Sequence, residues 1–292
     1  MSHLLSRRMA LAAPLIAAPL VAVQPGLAAS QELGARLAAL EARSGGRLGV
    51  GVLDTATETR GGHRVGERFA MCSTFKSIAA AHVLARVDRG EERLDRRVIF
   101  AESDLVPYSP ATKLRTGGQG MTMAEICEAA VVLSDNTAGN LLLASFGGPA
   151  GLTRFFRSAG DTISRLDRNE PELNNVAPDD PRDTTTPGAM SETVRQILLG
   201  DTLKSASREQ LTAWMVGMKT GDARIRAGLP SGWHVASKTG SGNGGEANEA
   251  GIFWPPGRAP VVLSVYYRKS DGSFDERNAV IAEAARIVAA SL

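Results

Sequence analysis

Ser73 and Lys76, in "MCSTFKSIAAAHVLARVDRG", stand three residues apart at the head of a stretch that reads as a helix. Ile78, Val83 and Val87 recur on its apolar side, and Gly90 supplies a stop. The spacing puts hydroxyl and amine on one face of the first turn. A serine there meets free N–H groups at the positive end of the helix dipole, which favours a developing negative charge. A neighbouring amine that is neutral, or shares its proton, can accept the serine proton. A serine before a helix is more often only an N-cap, so the pair alone leaves both readings open. Of the six lysines, Lys76 alone has a serine three residues before it.

Three further groups have chemical content. Ser134-Asp135-Asn136 joins a hydroxyl able to relay a proton to an amide able to hold a substrate carbonyl, though these residue types also favour caps and turns. In "RLDRNEPELN", Glu170 precedes Pro171 and Asn174 follows four residues later. A carboxylate and an amide in a fixed loop can orient and deprotonate a water; the alternative is a solvated charged loop, which Arg168 and Asp183 could close as an ion pair. The tripeptide Lys-Thr-Gly occurs twice. Lys219-Thr220-Gly221 follows a helical segment and reads as a loop, whereas Lys238-Thr239-Gly240 continues a strand into glycines. An edge strand presenting N–H groups, a hydroxyl and an ammonium suits a carboxylate-bearing amide, so chemistry is assigned to Lys238 and its neighbours.

The elements that must position these groups follow from periodicity. Leu33, Leu37 and Leu40 recur at helical spacing between Gln31 and Arg43. "RLGVGVLDTATETRGGHRV" reads as two strands around a turn. Helical segments run from about Cys72 to Trp214, strands return after Gly232, and Asp275 to Leu292 closes as an apolar-striped helix. Strand-rich ends flanking a helical middle predict an α+β fold, with residues 30–64 and 217–292 as one α/β domain and 65–216 as an inserted all-α domain. A cleft between them is where a site would form.

Residues 1–29 read as a signal peptide, with Arg7, Arg8, an apolar run from Met9 to Val23 and a cut near Ala28 or Ala29. "SRRMAL" is compatible with twin-arginine export, and the broken apolar run is too short for a stable membrane anchor. Its removal leaves 31 basic against 31 acidic residues. Without a basic stripe, nucleic-acid binding has no support. His3, His63, His82 and His234 show no metal-ligand spacing, no G-x-S-x-G elbow occurs, and no glycine-rich loop follows a strand. A zinc hydrolase, a Ser-His-Asp triad and a nucleotidase therefore lose ground, and no metal or cofactor is expected.

Taken in order, S-x-x-K at 73–76, S-D-N at 134–136, E-P-E-L-N at 170–174 and K-T-G at 238–240 resemble the class A β-lactamases. The resemblance extends from about Gln31 to the C terminus. It implies a five-stranded antiparallel sheet flanked by helices plus an all-helical domain, with the active site between them. It implies an exported, monomeric hydrolase of penicillins and cephalosporins, periplasmic or secreted, conferring resistance.

Residue by residue, Ser73 would be acylated, with its N–H and that of Ser241 as the oxyanion hole. Lys76 and Ser134 would move protons, and Asn136 would bind the substrate side-chain amide. Lys238 and Thr239 would bind the substrate carboxylate. Glu170 and Asn174 would hold the deacylating water, and Tyr108 would line the cleft mouth. An arginine common in the family after K-T-G falls here on Ala247, and Arg224 matches the position of a substitute. Family disulfides that would use Cys72 or Cys127 find Gly242 and Ala80 at the partner positions, so two free thiols are expected. A D-alanyl-D-alanine peptidase or penicillin-binding protein shares the S-x-x-K and K-T-G chemistry, and a β-lactam sensor that stays acylated is the non-enzyme alternative. Glu170 with Asn174 argues against the peptidase, because they supply the means to deacylate, and a sensor would be expected to carry a membrane-anchored signalling portion.

Overall fold

The structure, a computed structural model, describes residues 25–177 and 179–292 of the chain. The expected signal segment up to residue 24 lies outside the described residues. The expected cut, at Ala28 or Ala29, falls within the first helix, α1 (Pro25–Ser44).

The strands β1 (Arg47–Asp54) and β2 (Thr59–His63) form the expected hairpin. A short β3 (Phe69–Ala70) leads to a 3₁₀ turn over Cys72–Thr74 and then α2 (Phe75–Asp88). Ser73 therefore lies in this turn, just before α2 proper, and no side chain caps the helix. Gly90 follows its end at φ 75° and donates its N–H to Val87 O, the expected stop. The middle of the chain carries β4 (Arg97–Val98), β5 (Met121–Thr122), α3 (Met123–Val132), α4 (Asn136–Ser145) and α5 (Gly148–Ser158). It continues through β6 (Thr184–Thr185), α6 (Pro187–Leu198) and α7 (Ser205–Val216). After the short α8 (Ile225–Gly228) come β7 (His234–Ser241), β8 (Glu246–Trp254), β9 (Val261–Arg268) and α9 (Phe274–Ala289).

The main sheet has five antiparallel strands in the order β2-β1-β9-β8-β7, so the N-terminal hairpin is completed by the C-terminal strands. Its outer face packs on α1 and α9: Leu33, Leu37 and Leu40 meet Leu48, Val50, Leu263, Val265, Ile281 and Val288 in one buried cluster. Each such side chain contributes about 1.5–3 kcal/mol by leaving water. The inner face joins a second cluster, in which Leu53, Ala236 and Tyr266 pack with α2, α3, α4, α5, α6 and α7. The sequence pattern gave α2 a single apolar side. The helix is instead buried almost all round, from Phe75 to Ala81 and from Val83 to Ala85, because helices surround it. That central seat is what fixes Lys76. β7 forms the free edge of the sheet.

At the other end of the sheet, Glu41 of α1 accepts hydrogen bonds from Leu48 N and Arg64 Nε, both at 2.8 Å, and lies 2.9 Å from His63 Nε2. Burial alone would raise its pKa; the bonds from Arg64, Leu48 and His63 outweigh burial and hold it from 4.5 down to about 2. A depressed carboxyl stabilises the fold above its unfolded pKa and loses that contribution as pH falls. Glu41→Gln should therefore cost up to about 3 kcal/mol at pH 7, with the Tm difference from wild type closing between pH 4.5 and about 2.

Candidate active site

The surroundings of Ser73 are assembled by the turn at Cys72–Thr74 meeting strand β7. A Cβ built on Gly240 would stand 2.9 Å from Met71 O and 3.1 Å from Ser73 N, so only glycine lets the strand pass this close to residues 71–73. The backbone of Ser241 is thereby carried alongside that of Ser73. Asn248 of the neighbouring strand donates to Ala70 O at 2.9 Å and fastens the turn from behind. Four non-glycine residues around the cleft, Cys72, Tyr108, Ser134 and Asp183, have φ of 45°, 64°, 59° and 57°. Such conformations cost about 1–3 kcal/mol each and persist where surrounding bonds over-determine them. Here Asn136 N donates to Tyr108 O at 2.9 Å, and Met71 N donates to Asp183 O at 2.9 Å.

Lys76 is fully buried, and its Nζ lies 2.9 Å from Ser73 Oγ, 2.9 Å from Ser134 O, 2.5 Å from Asn136 Oδ1 and 3.0 Å from Glu170 Oε1. Four acceptors thus surround a group with three donors. Burial pulls the Lys76 pKa below the usual lysine range, against the opposing charge of Glu170. Ser73 Oγ also reaches Glu170 Oε1, at 3.4 Å. Serine, lysine and carboxylate form one connected proton path.

Glu170 is held in place by Asn140, whose Oδ1 accepts from Glu170 N at 2.9 Å and whose Nδ2 donates to Glu170 O at 3.0 Å. The Glu170–Pro171 peptide is cis. Asn174 Nδ2 donates to Glu170 Oε2 at 2.6 Å, while Asn174 Oδ1 is buried without a partner among the described residues. The loop is closed as its charges predict: Arg168 Nε lies 2.5 Å from Asp183 Oδ2, and Asp183 also accepts from Asp167 N and Arg168 N.

On the opposite wall, Lys238 is fully buried and donates to Ser134 Oγ at 3.0 Å and to Thr239 O at 2.8 Å. Burial, with the charges of Lys76 and Arg224, pushes its pKa well down. Asp135 is structural: it caps α4 through Ala138 N and binds Ala111 N and Thr112 N, which fixes the residues on either side of it. Asn136 Nδ2 donates to Pro107 O at 2.8 Å, and an amide nitrogen has a second N–H to offer. Arg224 is almost entirely buried, and it bonds Asn278 Oδ1, Gly240 O, Asn248 O and Ser241 Oγ at 2.7 to 2.9 Å.

These residues surround a cavity of about 380 Å³ lined by Ser73, Tyr108, Ser134, Asn136, Asn174, Arg224, Thr239 and Ser241, with Tyr108 exposed at the rim. A roomier hollow of about 520 Å³ lies elsewhere, between Val176, Ala177, Asp179, Asp180 and Thr184 on one side and the sheet on the other, and touches none of the candidate catalytic groups. Every site residue expected from sequence is either on the smaller cavity or, like Lys76, Glu170 and Lys238, bonded to a residue on it.

The second Lys-Thr-Gly corrects one expectation. Residues 219–221 do form a loop, but Thr220 lines the same cavity and its Oγ1 lies 2.5 Å from Thr239 Oγ1. Nothing in the local sequence marks that contact. Asn140 was equally unmarked, although it ends the stretch "LSDNTAGN". Cys72 and Cys127 are both buried free thiols, as expected. Ala247 is buried in the outer core, paired with Ser241 across the strands. Among the described residues no group of three or more His, Cys, Asp or Glu is placed to hold a metal, and no helix is long and apolar enough to cross a membrane.

Residues 32–292 match the family model described as "Beta-lactamase enzyme family". The chain belongs to this family and is a class A serine β-lactamase. It is 45% identical to β-lactamase CTX-M-8 of Citrobacter amalonaticus over 288 residues, covering 99% of this chain and 98% of that one. It is 48% identical to β-lactamase L2 of Stenotrophomonas maltophilia over 251 residues, covering 86% and 82%. Among solved structures, an ancestral class A β-lactamase superposes with a TM-score of 0.87 at 60% identity, covering 89% of this chain and all of that one. A putative class A β-lactamase PenP from Rhodopseudomonas palustris gives the same TM-score at 56% identity, with the same coverage.

Proposed function

We propose that the enzyme opens the β-lactam amide through an acyl-enzyme on Ser73, and the observation that carries this is the Ser73–Lys76–Glu170 path buried at the cavity floor. Lys76, sharing its proton with Glu170 and so able to present a neutral amine, takes the hydroxyl proton as Ser73 Oγ bonds to the lactam carbonyl carbon. The N–H groups of Ser73 and Ser241 hold the resulting oxyanion. Ser134, bridged to Lys238 and standing by Lys76, gives its proton to the departing ring nitrogen as the C–N bond breaks and takes in return the one that Lys76 received from Ser73. In the second half, Glu170 deprotonates a water that Asn174 helps to hold. The unpartnered Asn174 Oδ1 is an acceptor suited to that water, and buried polar groups are rarely left unbonded. The water oxygen bonds to the ester carbonyl carbon, the bond from that carbon to Ser73 Oγ breaks, and the proton held on Glu170 returns to Ser73 Oγ as the ring-opened acid leaves.

The substrate carboxylate is read as lying against Thr239, Ser241 and Lys238, with Arg224 supplying charge from behind. The substrate's side-chain amide takes the spare Asn136 N–H, and Tyr108 borders the mouth. The working units are residues 30–64 with 217–292, and 65–216, bordering the cleft, although α6 of the second packs on the sheet of the first through Ser191 Oγ and Gly51 O at 3.0 Å. We further assign the mature protein to the periplasm or medium, as a monomer acting on penicillins and cephalosporins and conferring resistance. Digestion and peptide mapping after quenching with a slowly released β-lactam tests the reading. The adduct should sit on Ser73; an adduct on another residue would overturn it.

A further inference from the structure

Strand β7 presents three hydroxyls two residues apart on one face, and each meets a partner from outside the strand. Ser237 Oγ donates to Glu249 Oε1 at 2.6 Å, Thr239 Oγ1 lies 2.5 Å from Thr220 Oγ1, and Ser241 Oγ accepts from Arg224 Nη2 at 2.7 Å. Two of these partners, Thr220 and Arg224, belong to the loop that runs into α8. The third, Glu249, lies on β8 directly across from Thr239 and has no exposed surface. Its other oxygen, Oε2, accepts from Ile225 N at 2.9 Å, the residue next to Arg224. One carboxylate therefore ties the edge strand to the loop that faces it.

The packing around this tie is close. A Cβ built on Gly221 would fall 2.3 Å from the flexible tip of Met218, 3.1 Å from Glu249 Oε1 and 3.3 Å from Thr239 Cγ2, so the loop passes close to the carboxylate at the glycine of the first Lys-Thr-Gly. Burial pushes the Glu249 pKa up, and the bonds from Ser237 and Ile225 and the charge of Arg224 oppose that rise. A buried carboxylate that is bonded on both oxygens is costly to place and holds what it bonds firmly.

We propose that Glu249 is the positioning residue of the carboxylate-binding edge: by bonding Ser237 and Ile225 at once, it fixes Thr220 and Arg224 against Thr239 and Ser241. It touches no substrate and acts through those residues. The assignment rests on the reading of that edge as the carboxylate site.

Two variants separate the contributions. Glu249→Gln keeps the shape and bonding capacity, since the serine hydroxyl can turn to accept; Glu249→Leu removes both ties. For a penicillin, the Leu variant should raise KM about tenfold with kcat within about threefold, the pattern of lost uniform binding, and the Gln variant should stay within about threefold of wild type. The Arg224 Nε–H, bonded to Asn278 Oδ1, gives a second readout without substrate. Its hydrogen exchange by NMR should be slow in wild type and the Gln variant and fast in the Leu variant. An unchanged KM with slow Arg224 exchange in the Leu variant would overturn the proposal, as would a Gln variant as impaired as Leu. If the Leu variant does not fold, Ser237→Ala cuts one tie alone and should raise KM about threefold; no change there overturns it equally. Absence of turnover in the wild-type chain would strike the β-lactamase mechanism instead, and Arg224 exchange would still decide the placement.

Discussion

Glu170→Ala should convert the enzyme into a trap, in which a good penicillin acylates Ser73 and the adduct then persists. The two half-reactions use the site unequally. Acylation needs a base near Ser73 Oγ, and Lys76 Nζ is there at 2.9 Å. In wild type the Glu170 charge is the main influence holding up a lysine pKa that burial pulls down. Removing that charge lowers the lysine further, so the neutral amine, the form that accepts a proton, becomes more abundant. Deacylation has no such substitute, because Glu170 and its partner Asn174 are the groups placed to activate a water. Deacylation should fall by about 10³-fold, within the range for losing a general base, while acylation stays within about tenfold of wild type. Intact-protein mass spectrometry distinguishes the outcomes. An acyl-enzyme that fails to accumulate would remove Glu170 from the second step.

The counterpart is Lys76→Ala, for which the first step should collapse. The variant loses the nearest base to Ser73 and leaves Glu170 buried with its cation gone. Acylation should drop by about 10³-fold, and the Tm should fall, because breaking a buried ion pair from one side leaves an uncompensated charge. The double variant Lys76→Ala with Glu170→Ala separates these effects. It should recover part of the lost stability, since neither charge remains alone, and none of the lost acylation rate. Stopped-flow acylation of Lys76→Ala within tenfold of wild type would show that Lys76 is not needed for the proton transfer.

The groups legible in the sequence were those whose chemistry is carried by neighbours in the chain. Ser73 with Lys76, Ser134 with Asn136, and Glu170 with Asn174 are each set by one turn or loop, so spacing brought them forward as candidates, and their order along the chain, through the family resemblance, gave them roles. Likewise Leu33, Leu37 and Leu40 report a face to be buried. What stayed hidden depends on contacts between distant segments. Asn140 grips Glu170 from 30 residues away, and Thr220 meets Thr239 from 19 residues away. Glu249 looks like one more charge in "NGGEANEAG", and only the pairing of β7 with β8 and the fold of the 219–225 loop make it a buried tie. The burial of α2 on nearly every side was hidden for the same reason: the helix's own sequence does not state how many neighbours surround it.

The central claim is that one buried constellation both acylates and releases, and the most direct measurement is the amount of product formed per molecule of enzyme. Mature wild-type protein mixed with a large excess of a chromogenic cephalosporin should hydrolyse many equivalents at a steady rate. A single burst matching the enzyme concentration, with no turnover after it, would contradict the account and place the protein among β-lactam targets or sensors.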